Sequence, residues 1–282
     1  MNLSRKDFII GLGLTSLGCA AGCRTRAQAP LVTRPIALQL WSIHKIFWQD
    51  PARHLADIRA AGYDGVEFAG FNDLPAKEIR KLLADAGLRG EGAHLAGTEQ
   101  FEGDGLKRNL DYCAEAGLES LTNAWADFDS RDEWVRFGEL MGRAARTAKD
   151  WNLPLGMHNH VHEFTKRYGG VCAWDLLFSE ADPLLRAQVD TSQVVNAGCD
   201  CVAQLRKQAN RHHSVHMKEN TPTEDGYFGV APADGRIVDW RGTVAYLETE
   251  SAFRWYVVEC ERRPDSLEPA VFNVKFLRQL RA

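Results

Sequence analysis

No run of about 18 or more apolar residues occurs in the chain, so no segment of it reads as a membrane-spanning helix. No CxxC pair occurs either. The cysteines are Cys19, Cys23, Cys113, Cys172, Cys199, Cys201 and Cys260, and their spacing gives neither a zinc ribbon nor a disulfide framework. Long basic runs are missing and the formal charge is −4, which argues against a nucleic-acid-binding face. No Gly-rich dinucleotide fingerprint follows the first strand-like segment, which argues against an open doubly wound sheet.

What is present is enough apolar material for one large core: 45% of 282 residues. Single α/β barrels commonly have about this size. Residues 1–30 do not read as fold. Ser4-Arg5-Lys6-Asp7-Phe8-Ile9-Ile10 supplies a basic start, Phe8 to Ala21 is short, apolar and Gly-rich, and Pro30 follows. That is the layout of an export signal. It is similar to a twin-arginine signal with Lys6 in place of the second arginine, and Ala20-Ala21-Gly22-Cys23 is similar to a weak lipobox. The expectation is an exported bacterial chain, periplasmic or held at the membrane through a lipid anchor, with a single domain over residues 31–282.

From residue 36 a rhythm sets in. Ile36 to Ile43 is strand-like, Pro51 to Ala61 is amphipathic, Gly62 is a helix stop, and Gly65 to Phe68 is the next strand. The pattern returns with a helix over Pro75–Ala86 and a strand over Leu88–Leu95, then with Leu106–Ala116 and Leu118–Trp125. Further helices are expected over Arg131–Asp150, Val171–Glu180, Thr191–Ala209 (interrupted at Gly198), Trp240–Thr249 and Glu268–Leu280. The strands between them are Leu153–Asn159, Leu185–Asp190, Ser214–Lys218 and Arg254–Cys260. Eight strands alternating with eight helical segments predict an α/β fold, a (β/α)8 barrel.

In such a barrel the chemistry sits at the C-terminal ends of the strands. Glu163, Asp190, His216 and Glu259 fall there, on strands five to eight. Strand parity supports the last three: Trp255, Val257 and Glu259 share a face, as do Gln188 and Asp190, and Ser214, His216 and Lys218. Strand five is less regular. His158, His160 and His162 share one face and Glu163 falls on the other unless the strand ends first. Either Glu163 joins the group from the loop, which is the reading preferred here, or His158 or His160 takes its place. Three carboxylates and one imidazole form an oxygen-rich set for a single divalent metal ion, Mn²⁺ before Mg²⁺ or Co²⁺. The competing readings are structural: Asp190 as a helix N-cap, Glu259 as a partner of Lys218, His216 as a satisfied core histidine. Around the same mouth, Gln39, Trp41, Glu67, His94, Trp125 and Lys218 are candidates for substrate contact, against the alternatives of loop capping and apolar packing.

Several segments together resemble the xylose-isomerase-like sugar isomerase/epimerase superfamily. They are Leu38-Gln39-Leu40-Trp41-Ser42, Gly62-Tyr63-Asp64-Gly65-Val66-Glu67-Phe68, His158-Asn159-His160-Val161-His162-Glu163-Phe164, Val189-Asp190-Thr191, Val215-His216-Met217-Lys218, the pair Gly235 and Asp239-Trp240, and Val258-Glu259. The resemblance implies a divalent metal held by carboxylate, Asp, His and carboxylate on strands five to eight, and proton transfer next to a sugar carbonyl. Glu259, with His158 and His160, is then expected to move the proton. One departure stands out: the His158-Asn159-His160 stretch occupies a place where many relatives carry a glutamate. A subgroup with this pattern includes inosose-dehydratase-like and 3-keto-glycoside-lyase-like proteins. The expected function is a sugar isomerase or epimerase, with a keto-sugar dehydratase or lyase as the alternative. A non-catalytic carbohydrate-binding barrel and an endonuclease IV-like phosphodiesterase are the rival classes. The expected partner is a small sugar and not nucleic acid; assembly into a homo-oligomer stays open.

Overall fold

Local signals in the chain set where each helix starts and stops. The first, α1 (Pro51–Ala61), begins on Asp50, whose carboxylate accepts the Arg53 N–H at 3.1 Å, and on Pro51, whose missing N–H is no loss in a first turn. It ends at Gly62 with φ 107°, a left-handed stop that a side chain would strain. The next, α2 (Ala76–Ala86), ends the same way at Gly87. They are followed by α3 (Gly103–Ala116), α4 (Arg131–Ala148), α5 (Val161–Thr165), α6 (Ala173–Glu180), α7 (Thr191–Asn196), α8 (Cys201–Lys207), α9 (Trp240–Thr249) and α10 (Glu268–Gln279). Gly198 separates α7 from α8, as the sequence indicates.

The computed structural model describes residues 31–219, 227–229 and 238–281. The export signal expected over residues 1–30, Gly235, and most of the loop between Glu219 and Asp239 lie outside them.

Eight parallel strands form a nearly closed barrel with the helices around it: β1 (Ile36–Gln39), β2 (Gly65–Ala69), β3 (Arg89–Leu95), β4 (Leu121–Asn123), β5 (Leu155–His158), β6 (Arg186–Gln188), β7 (Ser214–Met217) and β8 (Trp255–Val258). The order is β6-β5-β4-β3-β2-β1-β8-β7. The seam between β6 and β7 is closed by one parallel bridge, Asp190 to His216, with the His216 N–H on Val189 O at 2.9 Å. Thr191 Oγ1 reinforces it, donating to Lys218 O at 2.7 Å and accepting the Lys218 N–H at 3.0 Å. Two candidate site residues therefore also complete the barrel.

Alternation sorts the side chains. Ile36, Leu38, Val66, Phe68, Tyr256 and Val258 join the large core shared with the helices, while Ala37, Trp255 and Val257 form a separate cluster on the inner face. Trp255 fills the lower interior, its indole N–H on Glu119 Oε2 at 2.9 Å. A Cβ on Gly65 would lie 2.9 Å from that ring and 2.6 Å from Arg89 O, so only glycine fits opposite it.

The strands are shorter than the sequence suggests, for a local reason. Gln39 Oε1 accepts the Trp41 N–H at 3.0 Å and Asn123 Oδ1 accepts the Trp125 N–H at 3.0 Å. At both places the side chain of the last strand residue bends the chain out of the sheet. The tryptophan two residues on is thrown to the surface of the mouth: Trp41 is 47% exposed and Trp125 49%.

Candidate metal centre

Four elements bring four side chains that could hold a metal ion to one point. β5 ends on His158, Asp190 follows β6 as the N-cap of α7, His216 lies in β7, and Glu259 follows β8. One donor atom from each lies within 4.8 Å of the other three, and all four residues are buried. His94, on β3, makes an overlapping group with His158 and His216.

Asp190 carries the clearest sign of an incomplete set. Its Oδ1 accepts the Gln193 N–H at 3.0 Å, and its own N–H donates to Asn159 Oδ1 at 2.9 Å. Its Oδ2 is buried and has no hydrogen-bond partner among the described residues. It lies 3.6 Å from Lys218 Nζ and 3.9 Å from His158 Nε2. A buried carboxylate oxygen left without a donor is costly, and a cation would satisfy it. Two imidazoles and two carboxylates are a donor set that suits a first-row divalent ion better than Mg²⁺. The residues fit a metal.

His216 sits between two carboxylates, Nδ1 2.7 Å from Glu259 Oε2 and Nε2 2.7 Å from Glu67 Oε2. Burial opposes its charge, yet Glu67 and Glu259 push the ring up to about 10. Burial would likewise raise Glu67, but His94 and His216 hold it well below the usual carboxylate range. Glu259 is buried too, and Lys218 and His216 keep it ionised. Glu67 beneath His216 fixes the ring's orientation and leaves Nδ1 facing the ligand group, the arrangement usual for a metal-binding histidine.

The structure corrects the reading of strand five. Glu163 lies outside the group: β5 stops at His158, the chain turns into α5, and Glu163 becomes the third residue of that helix. Its Oε2 accepts the His160 N–H at 2.8 Å, half of a capping box. Parity counting cannot place a residue beyond the end of a strand. His158, the alternative, stands in the group instead, its Nδ1 3.2 Å from Gln188 Oε1. His160 is the cap of α5, next to but not within the group, its ring 5.0 Å from that of His158. Burial and then the Lys218 charge push His160 down to about 4, so the ring is neutral at physiological pH.

Two of the expected substrate contacts also move. Gln39 and Glu67 are buried beneath the group, not open to the mouth, with Gln39 Nε2 donating to Glu67 Oε2 at 2.6 Å and Gln188 Nε2 to Glu67 Oε1 at 2.7 Å. His94 is more open, 2.5 Å from Gln188 Oε1 and 3.2 Å from Glu67 Oε1. Lys218 Nζ lies 3.2 Å from Glu259, 3.6 Å from Asp190 and 3.0 Å from Glu261. Trp41 and Trp125 remain at the rim, Trp125 4.6 Å from the His160 ring.

Sequence reasoning passed over Asn159, Glu261 and Glu91. Glu91 is fully buried at a register shift, where Val66 pairs with Gly90 but Glu67 with Gly92. The extra residue breaks alternation and turns Glu91 toward Ser120, whose Oγ lies 3.4 Å from its Oε1. Arg-Gly-Glu-Gly at a strand start was the available signal, since glycine inside a strand marks a bulge.

The sequence profile described as "Xylose isomerase-like TIM barrel" matches residues 55–280. The chain belongs to that family. Within it, an inosose dehydratase from Geobacillus thermodenitrificans is 23% identical over 265 residues, covering 80% of this chain and 87% of that protein. The crystal structure of a sugar phosphate isomerase/epimerase from Parabacteroides distasonis superposes with a TM-score of 0.74 at 20% identity, covering 91% of this chain and 98% of the other. A D-allulose 3-epimerase from Methylomonas sp., solved with D-allulose, superposes at 0.64 and 15% identity, covering 88% and 98%. These likenesses agree with the xylose isomerase-like barrel described above.

Proposed function

We propose that this xylose isomerase-like barrel is a metal-dependent enzyme that moves a proton on the carbon beside a sugar carbonyl. The observation that carries the reading is the convergence of His158, Asp190, His216 and Glu259, with Asp190 Oδ2 lacking a hydrogen-bond donor among the described residues. These four would hold one divalent ion, Mn²⁺ or Co²⁺ before Mg²⁺. Bound there, the ion would supply Lewis-acid polarisation of the carbonyl oxygen, acidifying the neighbouring C–H.

The chain's own groups then divide the work. Glu259, kept ionised by Lys218 and His216, is the base on one side; neutral His160 serves the other. Glu67 holds His216, and Gln188 holds His94 and His158 by accepting from both rings. Trp41 and Trp125 offer apolar faces on which a sugar ring stacks. Return of the proton to the neighbouring carbon isomerises the sugar, and return to the opposite face epimerises it. A second reading, loss of water from the β-carbon, is favoured by the similarity to inosose dehydratases. The same proposal takes residues 1–30 as an export signal, which places the barrel in the periplasm and favours an unphosphorylated sugar.

Incubation with a panel of ketoses and keto-inositols in D₂O with Mn²⁺ tests the proposal. Deuterium at the carbon beside the carbonyl is expected, with a rearranged sugar as product; release of an unsaturated ketone selects the dehydratase reading. Tight sugar binding with no exchange across the panel would remove the catalytic role and leave a carbohydrate-binding barrel.

A further inference from the structure

At the opposite end of the barrel the strands begin around a second cavity, of about 790 Å³. That is the size range of small-molecule sites. Its wall takes Arg89 from the start of β3, Arg186 from the start of β6, and His213 and Arg254 from the residues just before β7 and β8. Leu153 and Leu184 give it an apolar side.

The three guanidiniums are not equivalent. Arg89 is neutralised by Glu119, with Nη2 2.6 Å and Nε 2.9 Å from Oε1. Arg186 and Arg254 meet no carboxylate among the described residues. Arg186 Nη1 donates to Asn210 O at 2.8 Å, and Arg254 Nη1 to Ser251 O at 2.6 Å and Phe253 O at 2.9 Å. Burial, and then the like charge of Arg254, lower the Arg186 guanidinium from its ordinary value. His213 feels the same field: burial, then Arg186 and Arg254, push it down to about 4. Its Nε2 is buried 4.0 Å from Glu91 Oε1 and has no hydrogen-bond partner among the described residues. Half-buried Arg186 and exposed Arg254 thus set two like charges on one cavity wall, with only carbonyl oxygens as hydrogen-bond partners among the described residues.

We propose that this cavity binds a small oxyanion, a phosphate or carboxylate group, between Arg186 and Arg254. Guanidinium forks match either group in two parallel hydrogen bonds, and a lysine pair would not. The anion would remove the repulsion that the empty arrangement carries. The site is distinct from the metal centre. Arg186 starts β6 and Asp190 follows its end four residues on, which is roughly 13 Å at about 3.3 Å per extended residue.

Calorimetric titrations of the full chain with inorganic phosphate, and separately with citrate, at ionic strength matched with sodium chloride, test this. Saturable binding of at least one is expected, weakened at least tenfold in Arg186→Gln/Arg254→Gln; which anion binds decides between phosphate and carboxylate. Because Arg186 also holds Asn210 O, Arg254→Gln alone is measured as well and is expected to weaken binding severalfold. Melting temperature and Mn²⁺ uptake serve as controls for the fold and the mouth in both variants. No saturable binding of either anion, or binding that the variants leave unchanged, overturns the proposal.

Discussion

Two strands of this barrel carry opposite charge at their two ends: β6 starts at Arg186 and leads to Asp190, and β8 follows Arg254 and leads to Glu259. At the mouth each buried charge has a counter-charge: His216 lies between Glu67 and Glu259, and Lys218 among Glu259, Asp190 and Glu261. At the other end Arg186 and Arg254 find only carbonyls among the described residues. The contrast separates two uses of burial. In the mouth it strengthens paired groups and tunes them for chemistry; below, Trp255 and its neighbours supply packing, and the charge at the rim is left unbalanced.

Changes at the two ends should therefore fail in different ways. The largest effect is expected from Glu259→Gln, which keeps size but removes the ionised base: turnover should fall by about 10²–10⁴-fold while the unfolding midpoint barely moves. Converted at about 1.36 kcal/mol per factor of ten, that is roughly 3–5 kcal/mol of barrier. Unchanged turnover would take Glu259 out of the chemistry. Trp255→Ala should do the reverse, losing about 3–5 kcal/mol of stability from a fully buried indole. Urea unfolding measures it, and Mn²⁺ affinity of the folded fraction should stay within a factor of about two. A large loss of affinity would show that the ends are coupled. Glu67→Gln is smaller. It keeps the size and one of the two hydrogen bonds accepted from Gln39 and Gln188 but removes the charge facing His216, and metal affinity should drop about 10–100-fold. An unchanged metal titration would make Glu67 a packing residue only.

How much of this was legible in the chain follows from the same geometry. Parallel strands of period two, separated by glycine-capped helices, leave a clear trace, so the barrel and the strand-end positions of Asp190, His216 and Glu259 could be read directly. Glu163 could not, because its position depends on where β5 ends and a helix cap begins, within three residues. Glu91 was hidden by a bulge that reverses its face. The arginine cavity left no trace at all: Arg89, Arg186 and Arg254 are far apart in sequence and meet only because the barrel closes. Closure itself runs through the bridge at Asp190 and His216 and the Thr191 hydroxyl beside it, which no local pattern announces.

Glu163 offers the finest test of the difference between paired and unpaired burial, because it lies beside the mouth yet outside the group. Burial pushes its carboxyl up to about 8, against the nearby Lys166 charge and with Asp127 adding to the rise. His162 Nε2 stands 3.3 Å from Oε1, which itself has no hydrogen-bond partner among the described residues. In the unfolded chain this carboxyl ionises near its ordinary value of about 4.3. Between that pH and about 8 the folded chain therefore holds a proton that the unfolded chain has lost. Stability from this group is fully present below the ordinary carboxylate range and declines as pH rises, levelling off above about 8. The slope is at most about 1.4 kcal/mol per pH unit. Glu163→Gln cannot ionise and can still accept the His160 N–H, so its stability should fall less over that window. Urea midpoints of both chains at intervals from pH 5 to 9 measure the difference, in which the contributions of the titratable groups common to both chains largely cancel. Parallel curves would mean that Glu163 is ionised throughout, and that a charge without a cation can be held in this wall of the barrel.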